Sequence, residues 1–181
     1  MKINEIFYSI QGEGHFSTFP AIFIRFSGCN LRCSFCDTKH DTGYEISEDD
    51  IINQIKKYPC SHVVLTGGEP TLQITDSLIE RLNENKYFIQ IETNGTNPIL
   101  PGIDWITISP KKKWKIMTGN ELKVVYTGQD LSIYEKALFG HYYLQPCDIN
   151  GEMNIQETVE KIMEVNKWKL SVQLQKLLKV K

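Results

Sequence analysis

The order of apolar segments along the chain predicts an α/β fold that forms an open, partial barrel. Short runs rich in aromatic and β-branched residues alternate with segments whose apolar residues recur at helical spacing, which is typical of parallel βαβ units. The pattern contains about six strands, fewer than the eight that close an α/β barrel. A chain of 181 residues without a low-complexity tract is about the length of one domain, so we expect residues 1–181 to form a single domain.

The predicted strands are short runs bounded by turn residues. They comprise residues 21–26, 62–66, 88–91, 105–108, 122–126 and 142–144, with residues 170–172 as a candidate late strand. Polar or glycine-rich loops follow five of them, and in parallel α/β folds the carboxyl ends of the strands lie at one edge. We therefore expect the side chains of these loops to share one rim.

The predicted helices lie between these strands. Ser47 and Asp50 resemble a capping box at the start of the first helix. Apolar residues at helical spacing define four helical faces: Ile51, Ile52, Ile55 and Tyr58; Leu78, Ile79 and Leu82; Tyr134, Ala137 and Leu138; and Ile155, Val159, Ile162 and Met163 after the cap Asn154. This order of elements supports the βαβ interpretation.

Charge and hydropathy exclude several classes of function. A net charge of −2 argues against nonspecific nucleic-acid binding, which usually needs a concentrated basic surface. The basic run at residues 111–115 is expected to be a solvated loop, with Lys111 considered separately. No apolar run approaches the ~20 residues of a membrane span, and residues 1–7 lack the apolar core of a signal peptide. We expect a cytoplasmic protein without nucleic-acid or membrane partners.

The cysteines point to a metal centre. The chain has five, an odd number, and Cys29, Cys33 and Cys36 lie within eight residues, which argues against a disulfide framework. Three thiolates on one short loop suit a cubane 4Fe-4S cluster, because each can bind a different iron. The fourth iron then stays open to a small molecule that carries an amine and a carboxylate.

Other interpretations of the cysteine loop stay open at this point. A structural zinc site would need a fourth ligand, for which His40, Cys60 or Cys147 are available, although zinc sites usually pair C-x2-C units and this loop is C-x3-C-x2-C. Three core cysteines without a metal are a further alternative. Cys60 and Cys147 themselves are interpreted as ordinary buried or loop thiols.

Nine short motifs occur in the order typical of one family. They are residues 9–14 (SIQGEG), 25–31 (RFSGCNL), 36–38 (CDT), 65–70 (LTGGEP), 92–95 (ETNG), 109–111 (SPK), 120–123 (NELK), 144–146 (LQP) and 170–173 (LSVQ). The cysteine loop, with Phe35 before its last cysteine, resembles the signature of radical S-adenosylmethionine (SAM) enzymes. Together the motifs resemble the 7-carboxy-7-deazaguanine synthases from end to end of the chain.

The resemblance implies a lyase with the open, (β/α)6-type barrel of radical SAM enzymes. Such an enzyme converts 6-carboxy-5,6,7,8-tetrahydropterin to 7-carboxy-7-deazaguanine, a ring contraction with loss of ammonia, on the route to queuosine and related deazapurines. A reduced 4Fe-4S cluster cleaves SAM, and the resulting 5'-deoxyadenosyl radical takes a hydrogen from C6 of the pterin. The cofactor carries the difficult step, and the protein supplies binding and orientation.

The resemblance also assigns the cofactor-binding residues. Cys29, Cys33 and Cys36 would hold the cluster, and Gly68 is the firmest SAM contact beyond them because glycine permits close backbone approach. The complete set of expected SAM-binding residues is Gly67, Gly68, Glu69, Thr93, Asn94, Ser109, Pro110, Lys111, Gln145, Pro146, Cys147 and Asp148.

The expected substrate contacts are Ile10, Gln11, Gly12, Glu13, Arg25 and Thr66. The first four resemble the loop that hydrogen-bonds the pterin ring edge, and Arg25 resembles the partner of the substrate carboxylate, for which a guanidinium is well shaped. Thr38 resembles the magnesium ligand of the family, with substrate oxygens and water completing an octahedron. A threonine that merely caps a turn after Asp37 is the alternative.

The chain departs from the family in two respects. It has Gln173-Leu174-Gln175-Lys176 where the family often has Gln-Thr-His-Lys, so any role of that histidine is absent. It is also compact for the family, so any insertions after the cysteine loop must be short. The family resemblance nevertheless implies a homodimer and a flavodoxin- or ferredoxin-type reductant.

Two competing functions share part of this pattern. Another radical SAM enzyme, such as an activase that installs a glycyl radical on a protein, would need the three cysteines and residues 67–70. It would leave Gln11, Arg25 and Thr38 unexplained. A nonenzymatic zinc-binding module is the alternative from another class, and analysis for iron and sulfide would distinguish it.

Overall fold

The computed structural model describes residues 1–111 and 114–181. Lys112 and Lys113, part of the basic run expected to be a solvated loop, lie outside the described residues.

One mixed sheet dominates the described part of the chain. Its strands are β1 (Lys2–Ile10), β2 (Pro20–Phe26), β3 (Tyr44–Glu45), β4 (His62–Gly67), β5 (Phe88–Thr93), β6 (Trp105–Ile108), β7 (Thr118–Tyr126), β8 (Leu138–Pro146) and β11 (Lys169–Leu170), while β9 (Asp148–Ile149) pairs with β10 (Glu152–Met153) in a separate hairpin. The spatial order is β11-β8-β7-β6-β5-β4-β2-β1-β3. The strands from β2 to β11 in this order are parallel, and β1 and β3 are antiparallel to their neighbours. The sheet of described strands does not close, so the predicted open, partial barrel is confirmed.

The six predicted strands are all present, but the first strand of the sheet was not predicted. In β1 the register with β2 shifts between Ile3 and Glu5, so the alternation of apolar and polar residues that marks a strand is interrupted. Two predicted strands are longer than expected, since β7 begins at Thr118 and β8 at Leu138. Of the candidate late strand at residues 170–172, only Leu170 lies in a strand, since β11 comprises Lys169–Leu170.

The helices are α1 (Glu48–Ile55), α2 (Asp76–Glu84), α3 (Ile155–Glu164) and the single-turn α4 (Leu174–Leu178). The predicted capping box is present, because the Ser47 hydroxyl accepts a hydrogen bond from the backbone N–H of Asp50 at 3.1 Å. No helix among residues 1–111 and 114–181 is long and apolar enough to cross a membrane.

The predicted helix around Tyr134, Ala137 and Leu138 is wrong. Residues Ser132–Tyr134 form one 3₁₀ turn, and Leu138 is the first residue of β8. Tyr134 and Ala137 are buried, so their spacing reflects a packed turn rather than a helical face. In α3 the expected apolar face is also incomplete, because Met163 is 80% exposed and the buried residue is Thr158.

Strand alternation in β2 decides which side chains reach the interior of the partial barrel. Ile22, Ile24 and Phe26 pack in the main core with α1 and α2. Phe23 lies on the opposite face, where it stacks on Phe7 of β1 with ring centroids 4.9 Å apart. Because side chains of a strand alternate between faces, Arg25 shares the inner face with Phe23.

The C-terminal segment, residues 171–181, bridges the open side of the sheet. The backbone N–H of Ser171 donates to the carbonyl of Leu144 in β8, and that of Leu174 donates to the carbonyl of Gly12 beyond β1. The Ser171 hydroxyl in turn accepts from the N–H of Gly14 at 2.9 Å. Loop contacts thus join β8 to the loop after β1 where strand pairing does not.

Candidate active site

One cavity of about 570 Å³ opens at the carboxyl ends of the parallel strands. This volume lies within the roughly 300–1,000 Å³ usual for small-molecule sites. Most of the predicted site residues line it: Ile10, Gln11, Gly12, Glu13, Arg25, Cys29, Cys33, Cys36, Thr38, Thr66, Gly67, Gly68, Thr93, Asn94, Ser109, Lys111, Gln145, Pro146 and Asp148. Glu69, Pro110 and Cys147 do not line it.

The cysteine loop projects its thiols towards this cavity. Cys29 and Cys33 are half-buried and Cys36 is exposed. The side chain of Asn30 anchors the loop to the turn after β5, since it donates to the Thr96 hydroxyl at 2.8 Å and accepts from Asn94 at 2.9 Å. These two hydrogen bonds fix the position of the loop that carries the three thiols.

The place of the thiols on one loop bears on the kind of metal centre that they could hold. Thiolates that bind separate irons of a cubane do not have to converge on one point. The donor set therefore fits a cluster: three thiols on one loop, all lining one cavity.

The glycine pair at the end of β4 allows the cysteine loop to pack closely. Gly67 has a φ of +112°, which favours glycine, and a Cβ at Gly68 would collide with the carbonyl oxygen of Gly28. The N–H of Glu69 donates to that same carbonyl at 2.9 Å. Close backbone approach thus accounts for Gly68 structurally, and its contact with SAM stays a prediction.

Glu69 braces the site from below rather than lining it. The residue is completely buried, and its carboxylate accepts from the hydroxyl of Thr93 at 2.6 Å and from the backbone N–H of Asn94 at 2.8 Å. It also accepts from the N–H and hydroxyl of Thr71. Through these bonds Glu69 fixes the turn after β5, on which Thr93 and Asn94 meet the cavity. Cys147 is likewise buried.

Lys111 is a half-buried cation beside the cysteine loop. Its ammonium donates to the Ser109 hydroxyl at 2.7 Å and lies 5.7 Å from the centroid of the Phe35 ring. Burial lowers the pKa of Lys111 below its ordinary value. The side-chain oxygen of Gln145, also at the cavity, is buried without a hydrogen-bond partner among the described residues. Both groups offer unfilled interactions to a polar ligand.

Arg25 reaches the cavity from the inner face of β2. Its Nε donates to Oε1 of Glu5 at 3.0 Å, and its guanidinium lies 5.6 Å from the centroid of the Phe7 ring. Glu5 also pairs with Lys181 at 2.6 Å. Beside Glu5 the cavity therefore has two cations, Arg25 and Lys181, for one carboxylate, and this excess of positive charge favours an anionic group of a ligand.

A buried ionic network forms another wall. Lys123 of β7 pairs with Glu13 at 2.7 Å and with Glu92 of β5 at 3.2 Å. Glu92 also accepts from the side-chain amide of Gln11 at 2.9 Å. Burial acts to raise the pKa of Glu13, but the charge of Lys123 and the hydrogen bonds from Lys123, Gln173 and Gln175 together outweigh it and lower that pKa. Glu13 and Glu92 are therefore paired carboxylates beside the cavity.

Sequence reasoning left Glu92 and Lys123 out of the site although both lie within recognised motifs. Strand alternation could have identified Lys123. Its neighbours Leu122 and Val124 in β7 pack in the core, so the side chain of Lys123 must lie on the opposite face of the sheet from its two neighbours. The pairing with Glu13 could not be obtained that way, because it depends on the sheet order.

The C-terminal segment completes the cavity. The amide of Gln173 donates to Glu13 and to Asp37, each at 2.9 Å. Gln175 donates to Glu13 at 2.9 Å, and its side-chain oxygen is buried without a partner among the described residues. Lys176 joins Asp37 of the cysteine loop to Asp148 at 3.0 and 2.7 Å.

Comparisons with known proteins agree with this geometry. Residues 23–112 match the family model described as the Radical SAM superfamily. The 7-carboxy-7-deazaguanine synthase of Bacteroides thetaiotaomicron is 53% identical over 182 residues, covering 99% of this chain and 98% of that protein. The synthase of the same name from Neisseria meningitidis is 39% identical, covering 97% and 92%.

A solved structure shares the fold as well. The crystal structure of QueE from Escherichia coli superposes with a TM-score of 0.75 at 30% identity, covering 95% of this chain and 93% of that one. Identity above one half over nearly the whole length, with the same architecture, settles the relationship. The chain belongs to the 7-carboxy-7-deazaguanine synthase family.

Proposed function

We propose that this chain is a radical SAM lyase that converts 6-carboxy-5,6,7,8-tetrahydropterin to 7-carboxy-7-deazaguanine with loss of ammonia, in queuosine biosynthesis. The observation that carries the proposal is the lining of one cavity, which the three cysteines share with Arg25 and the Glu13 network. Membership of the synthase family supports the same reaction. The activity is assigned to a single domain, residues 1–181.

The cofactors implied by the radical SAM superfamily are a 4Fe-4S cluster and SAM, which together supply a 5'-deoxyadenosyl radical as the hydrogen-abstracting species. Cys29, Cys33 and Cys36 would hold the cluster. Lys111, whose ammonium donates to Ser109, and Gln145, whose side-chain oxygen lacks a partner among the described residues, would contact SAM.

The substrate would lie between Arg25 and Glu13. The Arg25 guanidinium suits the carboxylate at C6, and the carboxylate of Glu13 suits N–H groups at the ring edge of the pterin. Gln11 and Thr66 also line the cavity. Binding at both ends would fix the orientation of C6, and burial of the network would exclude water from it.

Magnesium would bind at Thr38. This residue lines the cavity directly after the cysteine loop, and the Cys36 thiol donates to its backbone carbonyl at 3.6 Å. One hydroxyl ligand leaves most of an octahedron to substrate oxygens and water, which is the usual arrangement for this ion.

The partners follow from the same reaction. A flavodoxin- or ferredoxin-type protein would reduce the cluster, and the enzyme would act in the cytoplasm. A homodimer would cover exposed apolar side chains such as Met163, Leu177 and Leu178, which are 80%, 58% and 56% exposed. Light scattering at micromolar concentration should give the mass of two chains, and the mass of one chain would contradict the dimer.

The test of the proposed function is anaerobic turnover of the reconstituted enzyme with the carboxytetrahydropterin, SAM and a strong reductant. We expect deazaguanine product and 5'-deoxyadenosine, and neither from the Cys33→Ala variant. The absence of product from the parent, with an intact cluster and SAM cleavage, would contradict the substrate. Zinc in place of iron and sulfide would contradict the reaction class.

A further inference from the structure

Lys123 is a buried cation for which cofactor binding gives no reason. It is 4% exposed and lies at the centre of β7, in the motif at residues 120–123. A lysine is rarely buried so completely unless it is paired. Here it is paired twice, with two carboxylates that come from different parts of the fold.

Those carboxylates both border the cavity. Glu13 lies in the loop after β1, and Glu92 lies in β5, two strands from β7 in the sheet. The Lys123 ammonium donates to Oε2 of Glu13 at 2.7 Å and to Oε2 of Glu92 at 3.2 Å. It thereby holds the loop after β1 against the wall formed by β5 and β7.

The remaining oxygens are held by glutamine amides. Oε1 of Glu13 accepts from Gln173 and Gln175, and Oε1 of Glu92 accepts from Gln11, all at 2.9 Å. A carboxylate has about four acceptor positions, so each of the two retains capacity for a ligand N–H. The hydrogen bonds to the two carboxylates among the described residues all come from donors, so both carboxylates act as acceptors.

Lys123 also offsets the electrostatic repulsion between the two carboxylates. Without a cation between them, this repulsion would favour protonation of one carboxylate, which would turn a hydrogen-bond acceptor into a donor. Among the described residues, other charged groups near Lys123 include Glu121, two residues earlier on the same face of β7, and the ammonium of Lys111. Neither could replace Lys123, since Glu121 carries no positive charge and Lys111 bonds to Ser109.

We propose that Lys123 is the positioning residue for substrate recognition: it holds Glu13 and Glu92 in register as hydrogen-bond acceptors for adjacent N–H groups on the amino-pyrimidinone edge of the pterin. The inference rests on the proposed function and deepens it. Lys123 itself need not touch the substrate, the cluster or SAM. Its loss should therefore affect substrate binding and leave the cofactor apparatus in place.

The test compares three variants of the reconstituted, SAM-loaded enzyme. Lys123→Met removes the charge at nearly constant length, Lys123→Arg keeps it, and Glu121→Gln is the matched control, a buried polar change on the same face of β7. Titration of the carboxytetrahydropterin into unreduced enzyme measures affinity without turnover. Iron content, KM, kcat and the ratio of 5'-deoxyadenosine to product are measured beside it.

We expect Lys123→Met to retain iron and to bind the pterin about tenfold to a hundredfold more weakly, the range for misplacing hydrogen bonds to charged groups. Its KM should rise, and more 5'-deoxyadenosine should be released per product. Lys123→Arg should recover part of the affinity, and Glu121→Gln should bind like the parent. Parent affinity in Lys123→Met, or equal losses in the methionine and arginine variants, would overturn the proposal.

A folding defect is separated by the double variant Lys123→Met/Glu121→Gln, in which the buried side chain at position 121 cannot ionise once the cation is lost. The double variant should retain iron and still bind the pterin weakly. Loss of the cluster from both methionine variants would assign Lys123 a purely structural role and overturn the proposal. If the parent itself makes no product from the pterin, the proposed function fails, whereas a parent that turns over beside an unaffected Lys123→Met contradicts the positioning role alone.

Discussion

Gln173 and Glu13 are 160 positions apart in the chain, yet the amide of Gln173 donates a hydrogen bond to the Glu13 carboxylate at 2.9 Å. The same amide donates to Asp37, directly after the last cysteine of the loop. The C-terminal segment thus joins the expected pterin side of the cavity to the cysteine loop. Lys176 extends the connection to Asp148 on the expected SAM side.

Lys176→Met should therefore loosen the C-terminal segment and weaken SAM binding. The change removes the ammonium that joins Asp37 to Asp148, leaving these two carboxylates without their shared cation. We expect faster amide hydrogen exchange in residues 171–181 and a lower affinity for SAM. Lys179→Met, which changes an exposed lysine of the same segment, is the control. Unchanged exchange in Lys176→Met would show that backbone bonds alone hold the segment.

Alanine substitution of Cys29, Cys33 or Cys36 should abolish the cluster. The parent should bind about four irons per chain after anaerobic reconstitution, as a cubane requires. Cys60→Ala should keep the parent's iron content, because the Cys60 thiol donates to the Pro20 carbonyl at the opposite end of β2 from the cysteine loop. Iron and sulfide analysis with absorption spectra checks both expectations. Loss of the cluster only in Cys60→Ala would contradict the assignment of the ligands.

Arg25→Ala should collapse turnover while SAM cleavage persists. The substrate carboxylate would lose its cation in a partly desolvated site, which costs on the order of 2–5 kcal/mol. The variant should retain iron and release 5'-deoxyadenosine slowly under strong reduction without substrate. Product and 5'-deoxyadenosine are measured together for variant and parent. Product formed at the parent's rate and KM would place the pterin elsewhere and favour a glycyl-radical activase.

Thr38→Ala should mainly weaken the response to magnesium. One oxygen ligand would be lost from a small ion that demands near-octahedral geometry. We expect a higher magnesium concentration for half-maximal turnover, with unchanged iron content. Thr42→Ala is a suitable control, because it removes a threonine hydroxyl further along the same loop, which accepts a hydrogen bond from Asn4. An identical magnesium titration in Thr38→Ala and parent would support the alternative that Thr38 only ends a turn.

Glu121→Gln should stabilise the protein at alkaline pH. Burial raises the pKa of Glu121 from 4.5 to about 7. Below pH 4.5 the folded and unfolded states are both protonated at this group, and between pH 4.5 and 7 only the folded state keeps the proton, so its contribution to stability falls as pH rises. The free energy of unfolding lost through ionisation of Glu121 reaches at most about 3 kcal/mol and is constant above pH 7.

Unfolding of parent and Glu121→Gln should therefore coincide near pH 4.5 and differ most above pH 7, with the variant more stable. Thermal unfolding under anaerobic conditions across this range measures the difference. A difference that does not change with pH would show that Glu121 is ionised throughout.

Local motifs predicted much of the site because residues close in sequence must be close in space. Cys29, Cys33 and Cys36 share one loop, and their chemistry can be read without knowing the fold. Gly67 and Gly68 end a strand that the apolar pattern of residues 62–66 identifies. The loops after parallel strands were expected on one rim, and the cavity lies there.

Patterns of single segments were less reliable where packing overrode them. The spacing of Tyr134, Ala137 and Leu138 matches a helix, but the described chain forms a 3₁₀ turn because Leu138 already pairs in the sheet. Strand β1 was missed because an irregular register breaks its alternation. Both errors arise because sheet pairing, a nonlocal interaction, selects the backbone conformation.

By itself, the sequence determined the fold class, the family and the loop that carries the three thiols. Only the tertiary structure showed that Glu69 braces the turn after β5 from beneath the cavity, and that Lys123 joins Glu13 to Glu92. These contacts depend on which strands are neighbours and which face each side chain takes. The physical reason is that a buried charge is stable only where partners from distant segments converge on it, and that convergence is a property of the folded sheet rather than of any one motif.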